Sequence, residues 1–274
     1  MNDFPAPAKL NLFLHVVGRR EDGYHLLQSV FRFIDYCDTL SIEANDSGEV
    51  RLATPIPGVP PETDLTVRAA NLLKAATGCR LGAEIGIEKR IPMGGGLGGG
   101  SSDAATTLIV LNRLWRLDLS REELMRLGLS LGADVPVFIF GESAFAEGIG
   151  EKLSPIPLDP ACYLVLIPPV QIPTPQIFSH PELTRNSKPV KMSDFSIRQR
   201  RNDLQPVACI LYPVLREYLE WLERFGSPLM TGSGSCVFAE FASEAEAWHA
   251  YDSLPQGMRG FVARGLDRHP LKDF

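Results

Sequence analysis

Alternating apolar and polar residues predict strands in both halves of the chain. The alternation is clean over residues 39–43 and 49–53 and looser over residues 10–17. The same reading predicts further strands at residues 83–89, 143–147, 163–167, 237–241 and 260–264.

Helical spacing of apolar residues appears between these strands. The predicted helices cover residues 65–76, 101–115, 121–132, 203–225 and a segment that follows Ser243. The first lies between the potential cap Asp64 and Gly78, and Ser120 opens a capping box. Strands and helices mix without a strict β-α-β repeat, which favours an α+β fold over a doubly wound sheet.

Proline and glycine residues interrupt the pattern over residues 149–160, where we place a domain boundary. The predicted domains are residues 1–155 and 156–274. A chain of 274 residues is long enough for two domains at the usual ~150 residues each.

Composition narrows the possible functions. The chain has 27 basic and 33 acidic side chains, and this net charge of −6 argues against nucleic acid as the main partner. It has no long apolar run and no leader with a cleavage site, so we expect a cytoplasmic protein without a membrane partner. Its five cysteines contain no CxxC pair, which argues against a zinc ribbon or a disulfide framework.

The strongest local signal is a glycine loop before the helix predicted at residue 101. Six of the seven residues at 94–100 are glycines. Backbone amides without Cβ atoms around them, followed by a helix N-terminus, favour phosphate binding. Gly94, Gly96 and Gly99 fit the GxGxxG fingerprint of a dinucleotide site, in which an acidic residue about 20 positions later ends a second strand. Asp118 has that spacing, but it follows a predicted helix, so the fingerprint is rejected. A Walker A loop would need lysine where Gly100 stands.

Several segments, taken in chain order, resemble the GHMP kinase superfamily. They are residues 7–14, 23–25, 92–105, 131–136, 172–178 and 231–239, so the resemblance covers nearly the whole chain. It implies an N-terminal domain similar to ribosomal protein S5 domain 2 and a ferredoxin-like C-terminal domain, both lining one cleft. It further implies a kinase that uses ATP, carried with Mg²⁺, to phosphorylate a small-molecule alcohol.

The resemblance also assigns residues to the reaction. Lys9 and Asp134 match the catalytic pair of the family, with the aspartate accepting the hydroxyl proton. An aspartate beside Val135 and Pro136 should be paired, and a lysine would serve. The implied nucleotide-binding residues are Lys89, Pro92, Met93, Gly94, Gly95, Gly96, Leu97, Gly98, Gly99, Gly100, Ser101 and Ser102. Ser101 or Ser102 could help to hold Mg²⁺, and no acidic metal ligand is assigned.

On the acceptor side the resemblance is greatest to family members that phosphorylate a diphosphocytidyl polyol in the non-mevalonate route to isoprenoid precursors. The implied acceptor-binding residues are Asn11, Tyr24, His25, Thr174, Phe178, Thr231 and Gly232. A pyrimidine can stack between two aromatic rings while a histidine contacts its polar edge.

Some residues keep two interpretations. Lys89 is either a nucleotide contact or a surface lysine at a strand end, and Asp64 is either a nucleotide contact or a helix cap. The second glycine-rich loop, at residues 231–235, is either a plain hairpin turn or a loop facing the transferred phosphate. The basic run Arg198, Arg200 and Arg201 is interpreted mainly as a solvated face.

Two other functions compete with this hypothesis. One is a kinase of the same superfamily that acts on homoserine, mevalonate or a sugar. The other is a non-catalytic nucleotide- or RNA-binding module. The sequence carries no indication of the oligomeric state.

Overall fold

The computed structural model describes residues 3–194 and 200–274. Within them the chain forms strands β1 (Asp3–Arg19), β2 (His25–Asn45), β3 (Val50–Leu52), β4 (Gly82–Glu88), β5 (Ala144–Glu147), β6 (Lys152–Pro155), β7 (Cys162–Leu166), β8 (Leu229–Met230), β9 (Val237–Phe241) and β10 (Gly260–Leu266). Every strand predicted from the sequence is present, and β6 and β8 were not predicted.

The helices are α1 (Leu65–Thr77), α2 (Gly99–Leu114), α3 (Arg121–Leu129), α4 (Val135–Phe140), α5 (Thr174–Ser179), α6 (Gln205–Leu211), α7 (Val214–Glu223) and α8 (Glu244–Asp252). Asp64 caps α1, the predicted capping box forms at Ser120, and a second capping box forms at Ser243. None of the helices in the described ranges is long and apolar enough to cross a membrane.

All ten strands belong to one mixed sheet, in the order β3-β4-β2-β10-β7-β9-β8, with β1 and the β5-β6 hairpin also paired through β2. Strand β10 joins the two halves, because it pairs with β2 at Ile34 and Phe33 and with β7 along its length. The α+β prediction is confirmed.

The hydrophobic core consists of three clusters. One lies under the N-terminal helices and one in the C-terminal half. A third contains Leu10 and Phe13 of β1 together with Tyr163 and Phe238. Leu271 packs into the first cluster, so the end of the chain returns to the N-terminal half. The predicted boundary at residue 155 therefore divides two regions that share a sheet and part of a core.

The helix predicted over residues 203–225 is wrong as one element. It is two helices, α6 and α7, separated at Tyr212 and Pro213. The proline ring disfavours helical geometry in the residue before it, and Tyr212 has φ −132° and ψ 79°. The proline-rich loop also contains one short helix, α5, that was not predicted.

Candidate active site

Three cavities adjoin along one cleft. The loop cavity, about 400 Å³, is lined by residues 91–101 and by Lys89. The central cavity, about 360 Å³, contains Lys9 and Asp134. The outer cavity, about 550 Å³, contains Tyr24, His25 and Phe178. Gly94 and Ser101 line both the loop and central cavities, and Thr174 and Phe178 line both the central and outer cavities.

The glycine loop needs its glycines for space as well as for conformation. Gly96 has φ +76°, and a Cβ there would lie 2.2 Å from the carbonyl oxygen of Thr231. Gly98 has φ +75°, and its Cβ would lie 2.9 Å from the Phe138 ring and 3.1 Å from Lys9 Cγ. No side chain caps α2. The amides of its first turn are thus left for an anionic ligand.

The second glycine loop lies directly against the first. The Cys236 amide donates to the carbonyl oxygen of Gly95 at 3.1 Å, and the Thr231 hydroxyl donates to that of Gly96 at 3.3 Å. The loop is the turn between the antiparallel strands β8 and β9. It is therefore a hairpin connection that also lines the central cavity, through Gly232, Ser233 and Gly234.

Lys9 and Asp134 meet in the central cavity. Lys9 Nζ lies 3.4 Å from Asp134 Oδ2, and the lysine side chain is 2% exposed whereas that of the aspartate is 37% exposed. Although Asp134 precedes α4, its carboxylate makes no capping hydrogen bond and is left for the cavity. The pairing predicted for this aspartate is confirmed.

The strand geometry of β1 orients the lysine. Lys9 and Asn11 are two residues apart, so their side chains project from the same face, and Lys9 Nζ donates to Asn11 Oδ1. Asn11 is held in turn by Ser29, whose hydroxyl accepts from its amide at 2.8 Å. The Phe31 ring lies 5.5 Å from the ammonium. Lys9 is therefore a buried cation with a fixed direction.

A second charged group lies at the side of the loop cavity. Lys89 forms an ion pair with Asp38 and, at 2.8 Å, with Asp103. Burial would lower the pKa of Lys89, but Asp103 and Asp38 outweigh it and raise that pKa. Two carboxylates share one ammonium, so one of them is under-compensated. Burial, opposed by Lys89 and assisted by Asp38, raises the pKa of Asp103 to about 7.

Asp64 has the geometry of a helix cap. Its carboxylate accepts from the amides of Thr66 at 2.9 Å and Val67 at 3.2 Å. The same residue lines the loop cavity. The capping interpretation is confirmed, and a contact with nucleotide stays a prediction.

The outer cavity is built from side chains. Tyr24 is 60% exposed. The His25 and Phe178 rings lie with centroids 4.9 Å apart, tilted by 33°. The Thr174 hydroxyl lies 2.8 Å from that of Ser233 and so connects α5 to the second glycine loop. Burial first, then the charges of Arg185 and Arg19, lower the pKa of His25.

Comparison with known proteins agrees with this geometry. Residues 64–142 match the N-terminal domain model of the GHMP kinases, and residues 191–260 match their C-terminal domain model. The 4-diphosphocytidyl-2-C-methyl-D-erythritol kinase of Nitrosospira multiformis is 62% identical over 98% of this chain and 93% of its own length. The chain belongs to the GHMP kinase family. The protein of the same name from Thiobacillus denitrificans is 59% identical over 99% of this chain and 98% of its own.

Solved GHMP kinase structures have the same fold. A crystal structure of 4-(cytidine 5'-diphospho)-2C-methyl-D-erythritol kinase superposes with a TM-score of 0.84 at 34% identity, covering 96% of this chain and 99% of that one. A mevalonate kinase structure superposes with a TM-score of 0.73 at 17% identity over 98% of this chain and all of its own, a likeness of fold alone.

The cleft of this GHMP kinase brings together most residues predicted from the sequence. Every residue predicted to bind nucleotide lines the loop cavity except Ser102, which is fully buried inside α2. Asn11 and Gly232 line the central cavity. Thr231 is buried behind it, and its hydroxyl accepts from the backbone N–H of Asn11 at 3.0 Å.

Three residues beside the site were not predicted. Asp38 and Asp103 neutralise Lys89, and Arg185 binds both His25 and the end of α5. Asp38 and Arg185 lie outside the matched segments, and the segment 92–105 that contains Asp103 does not identify its partner Lys89. The basic run is divided: Arg200 pairs with Glu240, Arg201 pairs with Asp203, and Arg198 lies outside the described residues.

Proposed function

We propose that this protein transfers the γ-phosphoryl group of ATP to the 2-hydroxyl of 4-diphosphocytidyl-2-C-methyl-D-erythritol, giving the 2-phosphate and ADP in the non-mevalonate route to isoprenoid precursors. The observation that carries the proposal is the Lys9–Asp134 pair between a glycine-loop cavity and an aromatic cavity. The name shared by close relatives over nearly their full length supports this acceptor.

ATP would bind in the loop cavity. The amides of the loop and of the first turn of α2 face anionic phosphates, and the helix dipole adds a positive end there. Ile56, Val59 and the exposed Met93 supply apolar lining beside the loop, which suits an adenine base. Asp38 and Asp103 largely neutralise the charge of Lys89. A contact between Lys89 and the edge of the base is therefore favoured over an ion pair with the triphosphate.

Phosphoryl transfer would take place in the central cavity. The acceptor oxygen forms a bond to the γ-phosphorus while the bond from that phosphorus to the bridging oxygen of ADP breaks. Asp134 would receive the hydroxyl proton as the base, a role supported by its carboxylate, which is open to the cavity. Lys9 would hold the carboxylate and the attacking oxygen together, a positioning that lowers the entropic part of the barrier.

Mg²⁺ would enter as the ATP complex. Among the described residues no three His, Cys, Asp or Glu side chains cluster in a way that could hold a metal. Mg²⁺ commonly keeps several waters and binds through substrate phosphates with few protein ligands, so the donor set is compatible with it. Ser101, at the junction of the loop and central cavities, is the hydroxyl best placed to assist. When bound, the ion neutralises charge on the β- and γ-phosphates.

The acceptor would extend from the central into the outer cavity. Tyr24 and Phe178 supply two aromatic faces for the pyrimidine, and His25 supplies a polar contact. Asn11, Thr174 and the second glycine loop line the path between this ring and the reacting hydroxyl. Homoserine and mevalonate contain no aromatic ring that could stack between these two side chains.

Phosphorus NMR tests the reaction directly. The protein is incubated with Mg-ATP and 4-diphosphocytidyl-2-C-methyl-D-erythritol, and in parallel with homoserine and with mevalonate. A new monoester signal with an intact diphosphate, in the first reaction only, is expected. Phosphorylation of homoserine or mevalonate instead would support a small-molecule kinase and contradict the proposed acceptor. ATP binding without any transfer would favour a non-catalytic nucleotide-binding module.

Asp134→Asn tests the base. We expect kcat to fall by about 10³-fold, the range of general-base removal, with the Kd for ATP unchanged because Asp134 does not line the loop cavity. Asp35→Asn is the matched control, because Asp35 is also paired with one basic residue, Arg264, and lines none of the three cavities. A variant at Asp134 with wild-type kcat would contradict the assignment.

A further inference from the structure

Arg185 connects two parts of the outer cavity that are distant in sequence. Its Nε donates to His25 Nε2 at 3.1 Å, at the start of β2. Its Nη2 donates to the carbonyl oxygens of Phe178 and His180, both at 2.9 Å, at the end of α5. Its Nη1 donates to the carbonyl oxygen of Leu183 at 3.1 Å. One guanidinium therefore has four acceptors, and two of them belong to residues that line the cavity.

These bonds stabilise the end of α5. This helix has only six residues, and the last carbonyls of any helix lack partners within it. So short a helix is marginal without tertiary contacts. Arg185 donates hydrogen bonds to the carbonyl oxygens of Phe178 and of His180, the residue that ends the helix. The backbone that carries the Phe178 ring is thereby held against the cavity.

The same guanidinium determines the state of His25. Arginine has donors only and stays charged in proteins, so Nε2 must present a lone pair to it. In the neutral imidazole the hydrogen then resides on Nδ1, which makes no hydrogen bond within the described part of the chain. Protonation of Nε2 would bring two cations together. Burial, Arg185 and Arg19 accordingly lower the pKa of His25.

We infer that Arg185 is a positioning residue for the acceptor, which fixes His25 as the Nδ1–H tautomer and holds α5 so that Phe178 faces the bound ring. This inference rests on the proposed function, because it is the acceptor ring that His25 and Phe178 would contact. A ring with an unprotonated nitrogen or a carbonyl oxygen on its edge, as in cytosine, can accept from Nδ1–H. Arg185 itself lines none of the three cavities.

Another arginine provides a matched control. Arg121 also donates to three backbone carbonyls, those of Ile139, Leu271 and Lys272, and is likewise part-buried. It lies away from the outer cavity. Substitution of either arginine removes a set of carbonyl contacts, but only substitution of Arg185 changes His25 and α5.

The first experiment measures binding of CDP and of ATP by calorimetry to the full chain and to Arg185→Lys, Arg185→Gln and Arg121→Lys. A lysine keeps the charge but cannot span acceptors on both sides of the guanidinium. We expect both Arg185 variants to bind CDP about tenfold more weakly, because His25 and the end of α5 both lose a hydrogen bond that orients them towards the cavity. Their ATP affinity should stay unchanged, which also shows that they fold. Arg121→Lys should lower Tm without changing CDP affinity.

The second experiment observes His25 itself. Long-range ¹H–¹⁵N correlation of histidine-labelled protein, with His25→Gln for assignment, reports which ring nitrogen carries the hydrogen. We expect Nδ1–H in the wild type. In Arg185→Gln we expect mixed tautomers and a titration midpoint raised towards the ordinary value, because a neighbouring cation is gone. A merely structural role of Arg185 would leave both readouts unchanged.

The outcomes separate the inference from the function on which it rests. Wild-type affinity for CDP in both Arg185 variants, or an Nε2–H tautomer in the wild type, would overturn the inference. Failure of the wild type to bind CDP would overturn the proposed acceptor, and the tautomer measurement would still decide whether Arg185 controls His25.

Discussion

The loop cavity and the outer cavity are built in opposite ways. The loop cavity is formed largely by one continuous stretch of chain, residues 91–101, whose backbone amides are the hydrogen-bond donors available to a phosphate. The outer cavity depends on rings and hydrogen bonds from the β1–β2 turn, from α5 and from Arg185. Phosphate is the same anion in any nucleotide and suits a backbone site, whereas a particular acceptor needs side chains of particular shape.

This difference predicts different consequences of substitution. A side chain added to the glycine loop collides with the backbone of the second loop, so the damage is steric and extends to stability. A side chain removed from the outer cavity leaves the fold in place and weakens one ligand. The following variants test that contrast, beginning with the largest effect.

Gly96→Ala should be strongly destabilising. Its Cβ would lie 2.2 Å from a backbone oxygen at φ +76°, so we expect a loss of about 3 kcal/mol in the free energy of unfolding. Gly257→Ala is the control, because its φ is +96° with nothing within 4 Å, and only the backbone strain of about 1 kcal/mol applies. Urea unfolding measures both. Equal losses would show that conformation, and not the contact between loops, dictates glycine at position 96.

Tyr24→Ala and Phe178→Ala should affect the acceptor alone. Stacking of a base on an aromatic ring contributes ~1–3 kcal/mol, so the acceptor KM should rise about tenfold while the KM for ATP stays unchanged. Trp248→Ala serves as the control, since this exposed ring on α8 lies outside the cleft. A parallel rise in both KM values would argue that these rings support the fold and do not bind the acceptor.

Asp103→Asn should change how stability depends on pH. An acid whose pKa rises on folding, here from 3.8 to about 7, binds more protons in the folded state. The stability it contributes is full below the unfolded pKa and is lost as pH rises through the folded one.

The expected result is a wild-type free energy of unfolding that falls more steeply than that of Asp103→Asn as the pH rises from about 4 to about 7. Asparagine keeps an oxygen for Lys89 and removes the buried charge. Asp46→Asn, on an exposed aspartate, should follow the wild type. Identical pH profiles for wild type and Asp103→Asn would contradict an under-compensated charge on Asp103 beside Lys89.

The Lys9–Asp134 pair, between the two cavities, depends both on local sequence motifs and on the tertiary structure. Each residue belongs to a short motif, so sequence resemblance could assign both. Lys9, whose Nζ lies 3.4 Å from Asp134 Oδ2, is on a segment of β1 with a register shift on either side, between Pro7 and Ala8 and between Asn11 and Phe13. A bulge moves a strand by one residue and so redirects side chains, an effect that alternation alone does not predict.

The sequence by itself determined the elements whose causes are local. Alternation predicted the strands that pair in register, Asp64, Ser120 and Ser243 predicted helix starts, and the run of glycines predicted the phosphate loop. It did not predict the break at Tyr212 and Pro213, although the proline rule was available there.

Only the tertiary structure decided which distant groups meet. Lys89 lies 51 residues from Asp38 and 14 from Asp103, and Arg185 lies 160 residues from His25, so no period encodes these pairings. The physical reason is that a local pattern reflects backbone geometry over a few residues. The partner of a buried charge or donor is determined by where the whole sheet and its helices bring the chain.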